Sequence, residues 1–239
     1  MNHHRLIALT LRTVLDADGA ADAYGLHGLA PASVIKAVQS IHRRETGGAA
    51  PPPVWQRIAV AVAVIVDAEQ ATEHVLGLAD NTTERTLLAA IADWLNDDTL
   101  TLIGWHTPVS LLSTLCCRAL RYADDGLTLG RWATTSDAKS MARPGPHRDL
   151  AAAFGRHHTT TPHTLARALG LPVDAPLSAD HIHAAWQRGD RQALVNDARI
   201  EAACLLAIYR RCVLIAQDAA PFNTSLLRYE QAALGRVNP

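Results

Sequence analysis

Residues 58–66 read Ile-Ala-Val-Ala-Val-Ala-Val-Ile-Val, nine apolar residues in a row dominated by β-branched side chains. Branching at Cβ restricts χ1 and favours a pleated strand over a helix. Ile58, Val60, Val62, Val64 and Val66 fall on one face and Ala59, Ala61 and Ala63 on the other. Both faces are apolar, so the run predicts a central strand covered on both sides, as in a layered α/β sheet. It is too short to span a bilayer as a helix. The 239 residues are 49% hydrophobic and 19% charged, enough apolar material for a core of this kind and outside the range of disordered chains. A formal net charge of -1 gives no global basic footprint for nucleic acid and leaves only a local groove.

Other elements fall around that strand. Leu6–Leu11 reads as a first strand, and Asp16–Gly28, rich in Asp, Gly and Ala, as a loop. Pro31–Arg44 has helical spacing at Val34, Ile35, Val38 and Ile41. Gly47–Pro53 is a breaker cluster, and Thr72–Leu78 is a hairpin partner for the central strand. Thr83 opens a helix carrying Leu87, Leu88, Ile91, Trp94 and Leu95. Leu100–Trp105 is a further buried strand, and Val109–Ala123 a helix. Residues 124–146 hold few apolar residues and read as a surface excursion. Helical stretches near Leu150, Leu165, Ala184 and Leu194–Ala216 close the chain. The order predicts one α/β domain over residues 1–239, a mixed sheet with helices on both faces, without internal repeat or long linker. Four cysteines without a C-x-x-C pattern predict small buried hydrophobes in a reducing, cytoplasmic setting. The first residues are too short for a signal or membrane segment.

Several short motifs occur in a familiar order: Tyr-Gly-Leu-His-Gly-Leu (Tyr24–Leu29), Arg-Glu-Thr-Gly (Arg44–Gly47), Gly104-Trp105, Arg-Ala-Leu (Arg118–Leu120), His-x-Asp-Leu (His147–Leu150) and Leu-Gly-Leu-Pro (Leu169–Pro172). Through them the chain resembles the predicted 3'-5' exonuclease family related to the proofreading domain of family B DNA polymerases. That family belongs to the DEDD exonucleases, with an RNase H-like fold. The resemblance implies carboxylates holding two divalent metals, one activating water and one stabilising the leaving oxygen. Here the positions match poorly. The first-strand Asp-x-Glu falls on Thr10 and Arg12. The Asn-x-x-x-Phe-Asp motif falls on His106–Leu111, which places Leu111 at the metal-binding Asp. The late Tyr-x-x-x-Asp motif falls on Asp197 and Glu201. One of four metal positions keeps a carboxylate. Mg²⁺ wants oxygen ligands, and the fixed charge of Arg12 opposes a cation.

The resemblance therefore implies a degenerate exonuclease that needs no metal, retained as a binder of single-stranded nucleic acid. One alternative is a protein-interaction or assembly subunit, with a protein partner or a second copy of the chain. Another is a surviving exonuclease using Mg²⁺ or Mn²⁺ with Glu201, Asp149 and His106. His106, Asp149, Arg44 and Arg118 are the candidate nucleic-acid contacts. Each has a plainer role open to it: Asp149 as a helix cap, His106 in core or solvent, the arginines on a solvated face. Glu201 lies in an apolar stripe with Leu194, Ile208 and Ile215, one turn from Asp197, and an acid there wants a partner. Arg12 either pairs with Glu201, Asp197 or Asp149, standing in for the metal, or leaves the pocket for solvent. Twelve histidines form no metal-ligand spacing; His157, His158 and His163 only flank a run of threonines.

Overall fold

A computed structural model of the protein describes residues 5–47, 51–78, 82–130, 147–154, 160–216 and 223–235. Strand β1 (Arg5–Leu15) pairs antiparallel with β2 (Gln56–Val66), which pairs antiparallel with β3 (Ala71–Gly77). On its other side β1 runs parallel to β4 (Leu100–Gly104), and β4 parallel to β5 (His147–Asp149). The sheet order is β3-β2-β1-β4-β5. The apolar run at 58–66 is thus an interior strand, and β1 and β4 are neighbours, as the sequence predicts. This five-stranded mixed sheet flanked by helices has the arrangement of an RNase H-like fold.

One face of the sheet packs on α8 (Arg191–Ile215), with α7 (Ala179–Gln187) and α9 (Asn223–Ala233) beside it; Val60, Val62, Val64 and Val66 meet Leu194, Ala198, Ala202 and Leu205 there. The opposite face packs on α3 (Glu84–Asn96) and α4 (Ser113–Leu120), where Ala61 and Ala63 meet Leu87, Leu88, Ile91 and Leu115. The strict alternation expected along β2 breaks at one point. The β1–β2 register shifts between Arg12 and Thr13, so Arg12 opposes Val60 while Thr13 opposes Ile58. This bulge puts Ala59 on the α8 face and Ile58 on the α3/α4 face, the reverse of simple period-2 counting.

Two loop readings are corrected. The Asp/Gly/Ala-rich stretch after β1 contains a helix, α1 (Ala17–Tyr24). Asp16 caps it by accepting from the Gly19 backbone N–H, and Gly25, in the left-handed region, ends it. It packs on α2 (Pro31–Thr46). Leu127 and Leu129, placed in the surface excursion, belong to the α3/α4 core, and Leu129 is fully buried. The rest of that excursion, 131–146, and His157 and His158 lie outside the described residues. Between β4 and α4 the chain passes through a wide π turn at Pro108–Leu112. Two short helices, α5 (Leu150–Ala153) and α6 (Pro162–Ala168), lead to α7. Among the described residues no helix is long and apolar enough to cross a membrane.

Candidate functional site

β1 and α8 cross with Thr10 and Arg12 facing the helix. Their side chains bind the helix backbone itself: Thr10 Oγ1 donates to the Ala198 carbonyl at 2.9 Å, and Arg12 Nη2 to the Asp197 carbonyl at 2.9 Å. Arg12 then uses its remaining donors on two carboxylates one helical turn apart. Nε donates to Asp197 Oδ2, and Nη1 lies 2.7 Å from Glu201 Oε2 and also donates to the Leu11 carbonyl. The other Asp197 oxygen accepts from the Leu177 backbone N–H at 2.8 Å. Arg12 is 6% exposed and Asp197 7%, whereas the Glu201 side chain is 26% exposed and reaches the cleft. Burial acts to lower the Arg12 pKa, but Glu201 and then Asp197 outweigh it, so the guanidinium is held charged more firmly than usual. His163, buried on α6, is in the field of the same cluster; burial dominates and pushes its pKa down, towards the neutral ring.

The four positions that the resemblance aligns with metal ligands, Thr10, Arg12, Leu111 and Glu201, are therefore drawn together by the fold, and only Glu201 of them carries a carboxylate. Thr10 offers a neutral hydroxyl, which donates to α8, in place of a carboxylate; the Leu111 side chain offers no lone pair, and Arg12 occupies both acids. Two divalent cations need several carboxylate or water oxygens converging at one point. Among the described residues no group of three His, Cys, Asp or Glu side chains could hold a metal ion. Arg12 pairs with Asp197 and Glu201; Asp149, the third partner considered, instead caps α5 by accepting from Ala151 N at 3.2 Å.

In front of this cluster lies a cleft of about 320 Å³, lined by Thr10, Thr13, Gln56, Trp105, Leu111 and Glu201 among others. Among the described residues Glu201 is the single charged residue lining it. Gly104 lets the chain turn into the cleft, because a Cβ there would meet Thr107 Oγ1 at 2.1 Å. Trp105 is fixed by an indole bond to the Thr160 carbonyl at 2.8 Å and stacks on Phe154 at 5.9 Å. His106 follows with φ 47, a left-handed conformation that His and Asn tolerate better than most side chains.

The remaining candidates do not gather at the cleft. Arg44 is exposed near the end of α2. Arg118, expected as a phosphate contact, is 4% exposed and turned inward. Its Nε and Nη2 take both Glu84 oxygens, at 2.9 and 2.6 Å, and Nη1 takes Asp16 at 2.7 Å. Its physical role is to lock β1, α3 and α4 together. That network leaves no signal in the sequence, because Asp16 and Arg118 are far apart in the chain.

A family model described as predicted 3'-5' exonuclease related to the exonuclease domain of PolB matches residues 51–226. No curated protein matches the chain.

Proposed function

Since the chain belongs to the family of predicted 3'-5' exonucleases related to the exonuclease domain of PolB, we propose that it is a non-hydrolysing member that binds single-stranded nucleic acid. The observation that carries this reading is the Arg12 guanidinium between Asp197 and Glu201. It neutralises the acids and ties strand to helix, the two tasks that bridging cations would perform, without supplying a Lewis acid or an activated water. The cleft beside it keeps an anchored aromatic ring, Trp105, and hydroxyls at Thr10, Thr13 and Ser110. Stacking on an aromatic is the sequence-tolerant way to hold an unpaired base.

A second reading, a scaffold for a protein partner, draws on a cleft lining without Lys or Arg among the described residues and on Val109 and Leu120, which are 73% and 76% exposed. One assay separates the readings. A 5'-labelled single strand is mixed with the protein, with and without Mn²⁺, at several salt concentrations. The expected result is binding of the strand that falls off only gently with salt, because stacking and hydroxyl contacts carry it, and no shortening of the strand in either condition. Absence of binding at low salt favours the scaffold. Mn²⁺-dependent 3' trimming that disappears in Glu201→Ala returns the protein to the active exonucleases.

A further inference from the structure

A second cavity, of about 410 Å³, shares no lining residue with the cleft. It opens at the end of the sheet where β1 stops, β2 starts and α3 begins. Its walls are unusually rich in arginine: Arg57, Arg118, Arg121 and Arg191, against Asp16, Asp18 and Glu84. The charges divide into two groups. Arg118 and Arg121 hold Asp16 at 2.7 and 2.9 Å, and Arg118 holds Glu84, so these four charges cancel. Tyr122 and the Ile58 backbone N–H complete the Glu84 shell. Burial tends to raise the Asp16 pKa, but the Arg118 hydrogen bond and its neighbours outweigh it and hold the carboxyl below its usual value.

Arg57 and Arg191 are different. Both lie against the indole of Trp186, their guanidinium carbons 5.5 and 5.9 Å from the ring centre. Among the described residues neither has a carboxylate partner. A ring holds a guanidinium by its plane and leaves the N–H edge open. Two like charges sharing one ring repel each other, and an anion between or beside them relieves the repulsion. The opposing acid is Asp18, exposed on the first turn of α1. Thr82 and Thr83 bring the N-terminal turn of α3, the positive end of its dipole, to the same cavity.

We propose that this cavity binds a phosphate group, with Arg57 and Arg191 as its ligands and Trp186 as the platform that positions them. The same oxyanion chemistry is offered by a phosphodiester strand and by a free small phosphate such as pyrophosphate. The site stands whether or not the cleft binds a strand.

The test uses the full chain at low salt, titrated calorimetrically with sodium pyrophosphate and separately with a single-stranded oligonucleotide. Arg57→Gln and Arg191→Gln are compared with Arg228→Gln, which removes an exposed charge from α9. The expected result is a single saturable site weakened about tenfold or more by each of the first two changes, as for loss of a charge-assisted hydrogen bond, and unchanged by the third. If only the pyrophosphate titration responds, the source is a free phosphate, and a strand that does not bind at all then counts against the proposed function alone. If only strand binding responds, the source is a strand phosphate. Wild-type affinity in both variants, equal weakening by Arg228→Gln, or no saturable binding of either probe overturns the proposal.

Discussion

Replacing Arg12 by alanine should destabilise the protein by about 3–5 kcal/mol, the range for removing one partner of a buried ion pair. The change leaves Asp197, 7% exposed, with the Leu177 N–H as its one hydrogen-bond partner among the described residues and removes the Arg12 bond to the α8 backbone at the Asp197 carbonyl. The cost arises chiefly from the stranded carboxylate, not from lost attraction. A paired substitution makes that distinction measurable. Arg12→Met together with Asp197→Asn removes both charges, keeps an acceptor for Leu177 N and fills the space of the stem. It should recover a large part of the loss, because neighbours in one network are not additive. Urea denaturation of the wild type and of these variants supplies the comparison. A loss of ~0–1 kcal/mol for Arg12→Ala would place the pair among solvent-screened surface contacts and contradict its buried role.

The second large effect belongs to Arg118. Arg118→Ala should cost about 3 kcal/mol, the lower end of that range, since Arg121 still pairs with Asp16 and Tyr122 still donates to Glu84. It should also change the acid response. In the wild type the Asp16 pKa is depressed, so its stabilisation is complete above the ordinary carboxylate value and is lost only as pH falls through the lower folded value. Without Arg118 that folded value rises, and acid unfolding should begin at higher pH than in the wild type. Thermal unfolding followed from neutral pH down to about pH 3 reads both parts, spanning the ordinary carboxylate range. A variant whose midpoint tracks the wild type at every pH would show that Arg118 does not secure the β1, α3 and α4 junction.

What could be read from the residues was set by periodicity and charge. The run at 58–66 announced its burial on both faces through composition alone, and Arg12 and Glu201 were legible as charges that each needed a partner. The swap of Ile58 and Ala59 was not, because a bulge inserts one residue and inverts the face assignments on one side of it, here the start of β2, without leaving a mark in the hydropathy pattern. Helix α1 was missed because its capping Asp16 and terminating Gly25 have the composition of turns. The inward turn of Arg118 depends on Asp16 and Glu84, distant in sequence, so spacing had no means of showing it. The same holds for Arg57 and Trp186, which are far apart in the chain, whereas Arg191 follows the ring by five residues.

The central claim is that an arginine occupies the place of the metals. Titration of Mn²⁺ into the protein, followed by electron paramagnetic resonance, tests it most directly. The free-ion signal should persist in proportion to the Mn²⁺ added, with no stoichiometric loss. A stoichiometric loss of signal in the wild type that is restored by Glu201→Ala would put a cation where Arg12 is said to stand and contradict the account.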